Sequence, residues 1–226
     1  MADDYYLGSE SSRVKVSIVT KYFYAWAMIM KGRSSEMGYV DLFAGRGRFE
    51  DGTRSTPLEI LRIALSNLEI ASKLVATFND RDTSAIEALE AEVSSLEKIV
   101  TLKTPPTYLN KSVDNKILDL VPRFDQIPKL VFIDPFGFAG LSQDLLRRVI
   151  DGPGRWGTDC ILFFNTNRII MVLNNPVVDT HMSALFGKRL EAIRQEIKKQ
   201  PQIDREDIII KHFLSLLQAI GGTYTL

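Results

Sequence analysis

One cysteine, Cys160, stands in a chain of 226 residues. No internal disulfide can form from it, and no cysteine zinc cluster is available. That scarcity points to a reducing compartment, so a cytoplasmic location is expected. Histidine is almost as sparse: His181 and His212 are isolated, and neither has metal-ligating neighbours in the sequence. No metal is expected, and no serine, histidine and acid constellation is legible. Net charge is lacking as well, because 28 Lys and Arg balance 28 Asp and Glu. This excludes a uniformly basic, salt-driven nucleic-acid binder but leaves room for a local basic patch. No apolar run reaches the about 18 residues that a membrane helix requires, Phe23 to Met30 being too short. The first ten residues are polar and acidic, unlike a signal peptide. No membrane partner is expected. Internal repeats, low-complexity tracts and interdomain linkers are absent too.

What is present is ordinary globular material: 45% hydrophobic and 25% charged residues. The length suits one α/β domain. We read residues 1–38 as an N-terminal helical extension, 39–170 as a core sheet with helices, and 171–226 as a helical C-terminal part. Val16 to Lys31 has a broad apolar face at helical spacing, rich in aromatics. It either packs on a sheet or forms a lid over a ligand. Five short apolar runs predict strands: Tyr39 to Phe43, Leu74 to Phe78, Ile99 to Leu102, Leu130 to Ile133 and Cys160 to Phe164. Helices are predicted between them, over Leu58 to Leu68, Asp82 to Lys98, Val113 to Leu120 and Leu141 to Ile150. Alternation of this kind, with near-continuous apolar strands, predicts a doubly wound Rossmann-like parallel sheet. Three further helices follow, at about Val178 to Phe186, Arg189 to Lys199 and Ile208 to Ile220. Gly221 to Leu226 reads as a turn opening a sixth strand.

The densest chemical signal is Asp41-Leu42-Phe43-Ala44-Gly45-Arg46-Gly47, at the end of the first predicted strand. Glycines there let backbone approach a ligand, because no side chain blocks it. A P-loop ends in Gly-Lys-Ser/Thr, and none follows Gly47. A dinucleotide site has a third glycine opening a helix, but that position holds Glu50, beside Asp51, where a pyrophosphate would be repelled. S-adenosylmethionine (SAM) carries no phosphate. Asp41 suits its positive methionine end, while Phe43, Ala44, Gly45 and Gly47 would lie against methionine and ribose. The alternative is a tight turn without a ligand. Rossmann-type sites also hold ribose hydroxyls with an acid at the end of strand two. Asp80 stands there, with Asn79 able to share the role; the competing reading makes Asp80 an N-cap. Asp80 lies further from Gly45 than the about 20 residues of dinucleotide folds. The excess falls in a polar insertion, Phe49 to Thr56.

A second string, Asp134-Pro135-Phe136-Gly137, follows strand four, again at a ligand-binding edge. An amine to be methylated must aim its lone pair at the methyl donor. Asp134, or a backbone carbonyl stiffened by Pro135, can accept the amine hydrogens and orient that lone pair. Phe136 can stack on an extruded base. Otherwise Asp134 caps the helix near Leu141 and Phe136 is core. Arg168, in the loop after strand five, meets a phosphate or is simply solvated. Lys188 to Lys199 alternates charge as a solvated helix face does.

Together, the Asp41–Gly47 and Asp134–Gly137 strings resemble the bacterial three-Cys-motif partner proteins, a family similar to class I SAM-dependent methyltransferases. Lys21-Tyr22-Phe23-Tyr24-Ala25-Trp26 resembles that family's helix before the glycine strand. Asp51-Gly52 and Ser55-Thr56-Pro57-Leu58 resemble its insertion. Asp-Pro-Phe-Gly is also similar to guanine-N2 methyltransferases acting on transfer RNA. The likeness covers about residues 15 to 170. It departs at Arg46, where such loops often carry a small residue or proline. A methyltransferase sheet has a sixth and seventh strand, so a sheet lacking its last strands is expected. The resemblance implies a SAM-dependent enzyme acting on an amino group of a nucleobase. The expected strand order sets Asp41 and Asp134 side by side around one pocket. The rival expectation is a non-catalytic methyltransferase-fold module that binds a nucleotide or a protein partner. A dinucleotide oxidoreductase is a third, penalised by Glu50.

Overall fold

The computed structural model of the chain describes residues 10–152, 156–199 and 204–221. It divides into two compact units. The first holds the described residues of 1–112, 117–133 and 154–161, and the second those of 113–116, 134–153 and 162–226.

A five-stranded parallel sheet organises the first unit. Its strands are β1 (Met37–Asp41), β2 (Leu74–Asn79), β3 (Thr107–Leu109), β4 (Lys129–Ile133) and β5 (Thr158–Leu162), in the order β3-β2-β1-β4-β5. This is the Rossmann-like, doubly wound order expected from the alternation. Every residue of β1, β2 and β4 is buried, so both faces of the central strands are covered. That is why these strands read as unbroken apolar runs. Parallel pairing sets Tyr39 beside Ala76 and Asp41 beside both Phe78 and Phe132.

Helix α1 (Glu10–Met30) buries Val19, Phe23, Trp26 and Ala27. The Phe23 ring meets Tyr39 edge-on at 5.6 Å between centroids. Tyr39 lies 6.2 Å from Phe78, and Phe78 lies 6.1 Å from Tyr108. One aromatic row thus runs from α1 across β1, β2 and β3, because partners in register share a face. Of the two readings of α1, packing on the sheet is the one realised. Crossovers in this unit use α2 (Thr56–Leu65), α3 (Leu68–Ala71) and α4 (Thr83–Ser94).

The predicted helix over 58–68 breaks in two because the Asn67 side chain accepts hydrogen bonds from the N–H groups of Glu69 and Ile70. The predicted third strand is also corrected. Ile99–Thr101 is one turn of 3₁₀ helix, with Val100 88% exposed, and the strand begins after Pro105-Pro106. Short apolar runs do not distinguish strand from buried turn by pattern alone. The helix expected over 113–120 reduces to one 3₁₀ turn at Ile117–Leu120. The expected sixth strand lies outside the described residues, apart from Gly221.

The second unit is helical: α5 (Gln143–Ile150), α6 (Thr166–Val172), α7 (Asp179–Phe186), α8 (Arg189–Lys199) and α9 (Arg205–Ile220). Phe164 stacks on Phe213 at 4.0 Å, and Phe186 meets Phe164 edge-on. Among the described residues no helix is long and apolar enough to cross a membrane, and no metal-ligating group is assembled.

Burial of the aromatic row has a pH consequence. Burial, then the charge of the neighbouring Asp41, hold the Tyr39 hydroxyl well above its usual 10.0. Partial burial, joined at Tyr22 by the Asp159 carboxylate that accepts its hydroxyl hydrogen bond at 2.7 Å, pushes Tyr22 and Tyr108 up to about 12. An unfolded tyrosine loses its proton near pH 10, well before Tyr22 and Tyr108 do in the folded chain. Stability is therefore complete below pH 10 and falls as pH rises above it. Urea midpoints should drop between about pH 10 and 12, and the late tyrosinate absorbance should appear together with unfolding.

Candidate functional site

The glycine loop is tied to the end of β2 at Leu42, Ala44 and Gly45. Leu42 N–H donates to the Phe132 carbonyl at 3.1 Å, continuing the sheet past β1. Ala44 N–H donates to the Asn79 carbonyl at 2.8 Å. Gly45 N–H donates to Asp80 Oδ2 at 3.0 Å. The other Asp80 oxygen accepts from Asp82 N–H at 2.9 Å. Asp82, not Asp80, caps α4, accepting from Ser84 N–H at 2.9 Å. The Ser84 hydroxyl and N–H hold the Asp82 carboxyl below its usual range. Asp80 is thus a half-exposed carboxylate aimed at the glycine loop, with one backbone donor on each oxygen. A carboxylate has about four acceptor positions, so each oxygen retains capacity for a ligand hydroxyl.

Asn79 braces this arrangement from behind. It is fully buried, and its amide donates to the Leu42 and Lys111 carbonyls at 3.0 Å each. Its oxygen accepts from Lys111 N–H at 3.1 Å. Asn110 reaches the Asp80 carbonyl at 3.0 Å. Asp41 is 1% exposed, beside the Tyr39 hydroxyl, and its Oδ1 accepts from Phe43 N–H at 3.1 Å. Ala44 is buried, and Phe43 is half-buried.

The two glycines have different tasks. Gly45 turns the chain at φ 65°, where the backbone meets Asp80. At Gly47, φ is 85° and a Cβ would lie 2.9 Å from Leu89 Cδ1 and 3.4 Å from Leu58. Its missing side chain leaves room for Leu58 of α2 and Leu89 of α4. Gly47→Ala should therefore cost about 2–4 kcal/mol, from left-handed backbone plus crowding of a fully buried leucine. Gly52 has φ 80°, and a Cβ added there would meet nothing within 4 Å. Gly52→Ala should therefore cost only about 1–2 kcal/mol, from the backbone alone. Denaturant melts of the pair check the difference.

After Gly47 the chain forms a hairpin instead of a helix. Arg48 and Arg54 bridge as antiparallel neighbours, and Phe49 N–H donates to the Thr53 carbonyl at 2.9 Å. Helix α2 begins at Thr56, with Pro57 in its first turn. Beside the hairpin, Arg13, Val16, Arg48, Phe49 and Arg54 line an open cavity of about 600 Å³. Its arginines pair with Asp51 at 2.6 Å, Glu92 at 2.7 Å and Glu59 at 3.5 Å. Arg46 donates to the Ser84 hydroxyl at 3.3 Å.

No family model matches the chain, and no curated protein matches it. The chemistry of the loops rests on their own geometry.

The Asp134 string belongs to the second unit. Asp134 is 9% exposed, and Phe136 is 40% exposed. Ser142 caps α5, accepting from Leu145 N–H at 3.1 Å. The two alternative roles, Asp134 as that cap and Phe136 as core, are therefore not what the side chains do. Gly137 turns at φ 90°. Over the Phe136 ring lies the Arg168 guanidinium, with Cζ 3.9 Å from the centroid. Sequence reasoning singles out both residues but not their pairing. It also misses Asp82 and Ser142 as caps, although each is followed by the short polar-to-helix transition that marks an N-cap.

Proposed function

We propose that the chain is a SAM-dependent methyltransferase acting on an amino group of a nucleobase, in keeping with its resemblance to the three-Cys-motif partner proteins. The observation that carries this reading is the Asp80 carboxylate clasping Gly45 N–H in a loop that runs into a hairpin. A dinucleotide site sets a helix N-terminus directly behind its glycines, to receive pyrophosphate. Here α2 starts only at Thr56, after the acidic pair Glu50-Asp51. A donor-poor, carboxylate-bearing loop suits a ligand with ribose hydroxyls, positive charge and no phosphate. The residues present fit SAM on that test.

When bound, SAM supplies an electrophilic methyl group on a cationic sulfur. Asp80 would accept from the ribose hydroxyls, and the Gly45 backbone would lie against the ligand. Asp41 keeps Phe43 N–H in place and contributes negative charge at the end of β1. In the second unit, Asp134 would accept the amine hydrogens and so direct the lone pair, with Pro135 stiffening the backbone. Phe136 would stack on the base. Rate would come from positioning more than from acid–base strength.

Calorimetry with SAM and with NAD tests the cofactor, and transfer of a radiolabelled methyl group to total RNA, DNA or protein tests the substrate. SAM binding with label on nucleic acid supports the reading. NAD binding without SAM binding overturns it.

A second reading, a non-catalytic module serving a protein partner, draws on one feature of α1. Val14, Ile18, Tyr22 and Ile29 are 52, 47, 45 and 51% exposed, and their spacing puts them along one stripe. Apolar stripes of this kind mark interaction surfaces. Binding of neither SAM nor NAD would favour this alternative.

A further inference from the structure

We propose that Arg168 is a specificity-determining residue that reads a phosphate beside the target base, restricting the substrate to single-stranded or unstacked polynucleotide. This rests on the reading above, in which Phe136 receives a nucleobase.

Phe136 keeps 40% of its surface in water, and the guanidinium of Arg168 covers part of its ring at 3.9 Å. Among the described residues no carboxylate pairs with Arg168, whereas the arginines of the hairpin cavity each have one. Its backbone is fixed. Asn165 caps α6 by accepting from Arg168 N–H at 3.0 Å. The Thr166 hydroxyl donates to Glu206 at 2.7 Å, and Ile169 is fully buried. On the other side, the left-handed turn at Gly137 brings backbone against the arginine stem, a Cβ there lying 3.5 Å from Arg168 Cδ.

A guanidinium resting on a ring keeps its edge N–H groups in its own plane. That edge suits a phosphate, which it can grip with two parallel hydrogen bonds. Its outer face is also a stacking surface for a base, as an aromatic ring is. Phe136 and Arg168 therefore form one two-part platform, apolar for the base and cationic for its backbone. A protein side chain or a free nucleobase would use half of it. A polynucleotide uses both, provided the base is out of its helix. One arginine without a carboxylate partner among the described residues is compatible with the zero net charge, because binding then depends on a few placed contacts.

The test uses the full chain and a short fluorescein-labelled single strand, as RNA and as DNA, followed by anisotropy at several salt concentrations. Arg168→Ala should weaken binding about tenfold or more and lower the salt slope by about one. Arg168→Lys should keep the slope and recover part of the affinity. Phe136→Ala should weaken binding with the slope unchanged. The RNA and DNA arms show which polymer fits. Urea midpoints near the wild-type value exclude unfolding as the cause. Equal affinity and slope for wild type and Arg168→Ala would overturn the assignment, as would a wild type that binds neither strand. Calorimetry with SAM on the same samples separates the two ideas. Strand binding that needs Arg168 without SAM binding retires the methyltransferase reading and leaves Arg168 standing. SAM binding with an indifferent Arg168 does the reverse.

Discussion

Asp80→Ala is expected to weaken SAM binding by about ten- to a hundredfold, the usual cost of losing hydrogen bonds to a charged acceptor. The same change removes the acceptor of Gly45 N–H at 3.0 Å and of Asp82 N–H at 2.9 Å. Stability should therefore fall too, by about 1–3 kcal/mol. A control separates the two effects. Asp82→Ala deletes the α4 cap, which should cost about 1 kcal/mol, while leaving the Gly45 clasp alone. Asp80→Asn keeps one acceptor oxygen and should fall between wild type and alanine in calorimetry. If Asp82→Ala weakens SAM as much as Asp80→Ala does, the effect is general loosening and Asp80 is no ribose ligand. Wild-type affinity in Asp80→Ala would lead to the same conclusion.

How much of this was visible in the chain depended on burial. β1, β2 and β4 could be read because each is enclosed on both faces and spells out mostly apolar residues. β3 could not, since Thr107, Tyr108 and Leu109 are all half-buried and two of them are polar or amphipathic. The apolar Ile99-Val100 attracted the assignment, yet Val100 points to water. The glycine loop stood out as a string, but the string treats Gly45 and Gly47 alike. Gly47 is required by Leu58 and Leu89, residues of two different helices that come together only in the fold. Asp80 and Asp82 posed the same difficulty. Both precede α4 and both are good caps by type; where the helix starts gives the cap to Asp82 and leaves Asp80 for the loop. Phe136 and Arg168 lie far apart in sequence, and no local pattern predicts that one ring lies under one guanidinium.

Asp134 should show a different signature from Asp80. Asp134→Ala is expected to slow methyl transfer by about 10²–10³-fold, the range typical for one oriented polar group at a reacting centre. Affinity for SAM should stay at the wild-type value, because Asp134 is proposed to orient the amine and not to hold the cofactor. Asp134 is 9% exposed and makes further polar interactions, so alanine will also loosen its surroundings. Asp134→Asn is the sharper probe, being of the same shape. If the amine needs an acceptor to aim its lone pair, the asparagine oxygen suffices and most of the rate survives. If the carboxylate must also take the departing proton, asparagine is as slow as alanine, and raising the pH will not rescue it. Single-turnover rates at saturating SAM distinguish these cases. Wild-type rates in both variants would remove Asp134 from the chemistry and leave orientation to the backbone at Pro135.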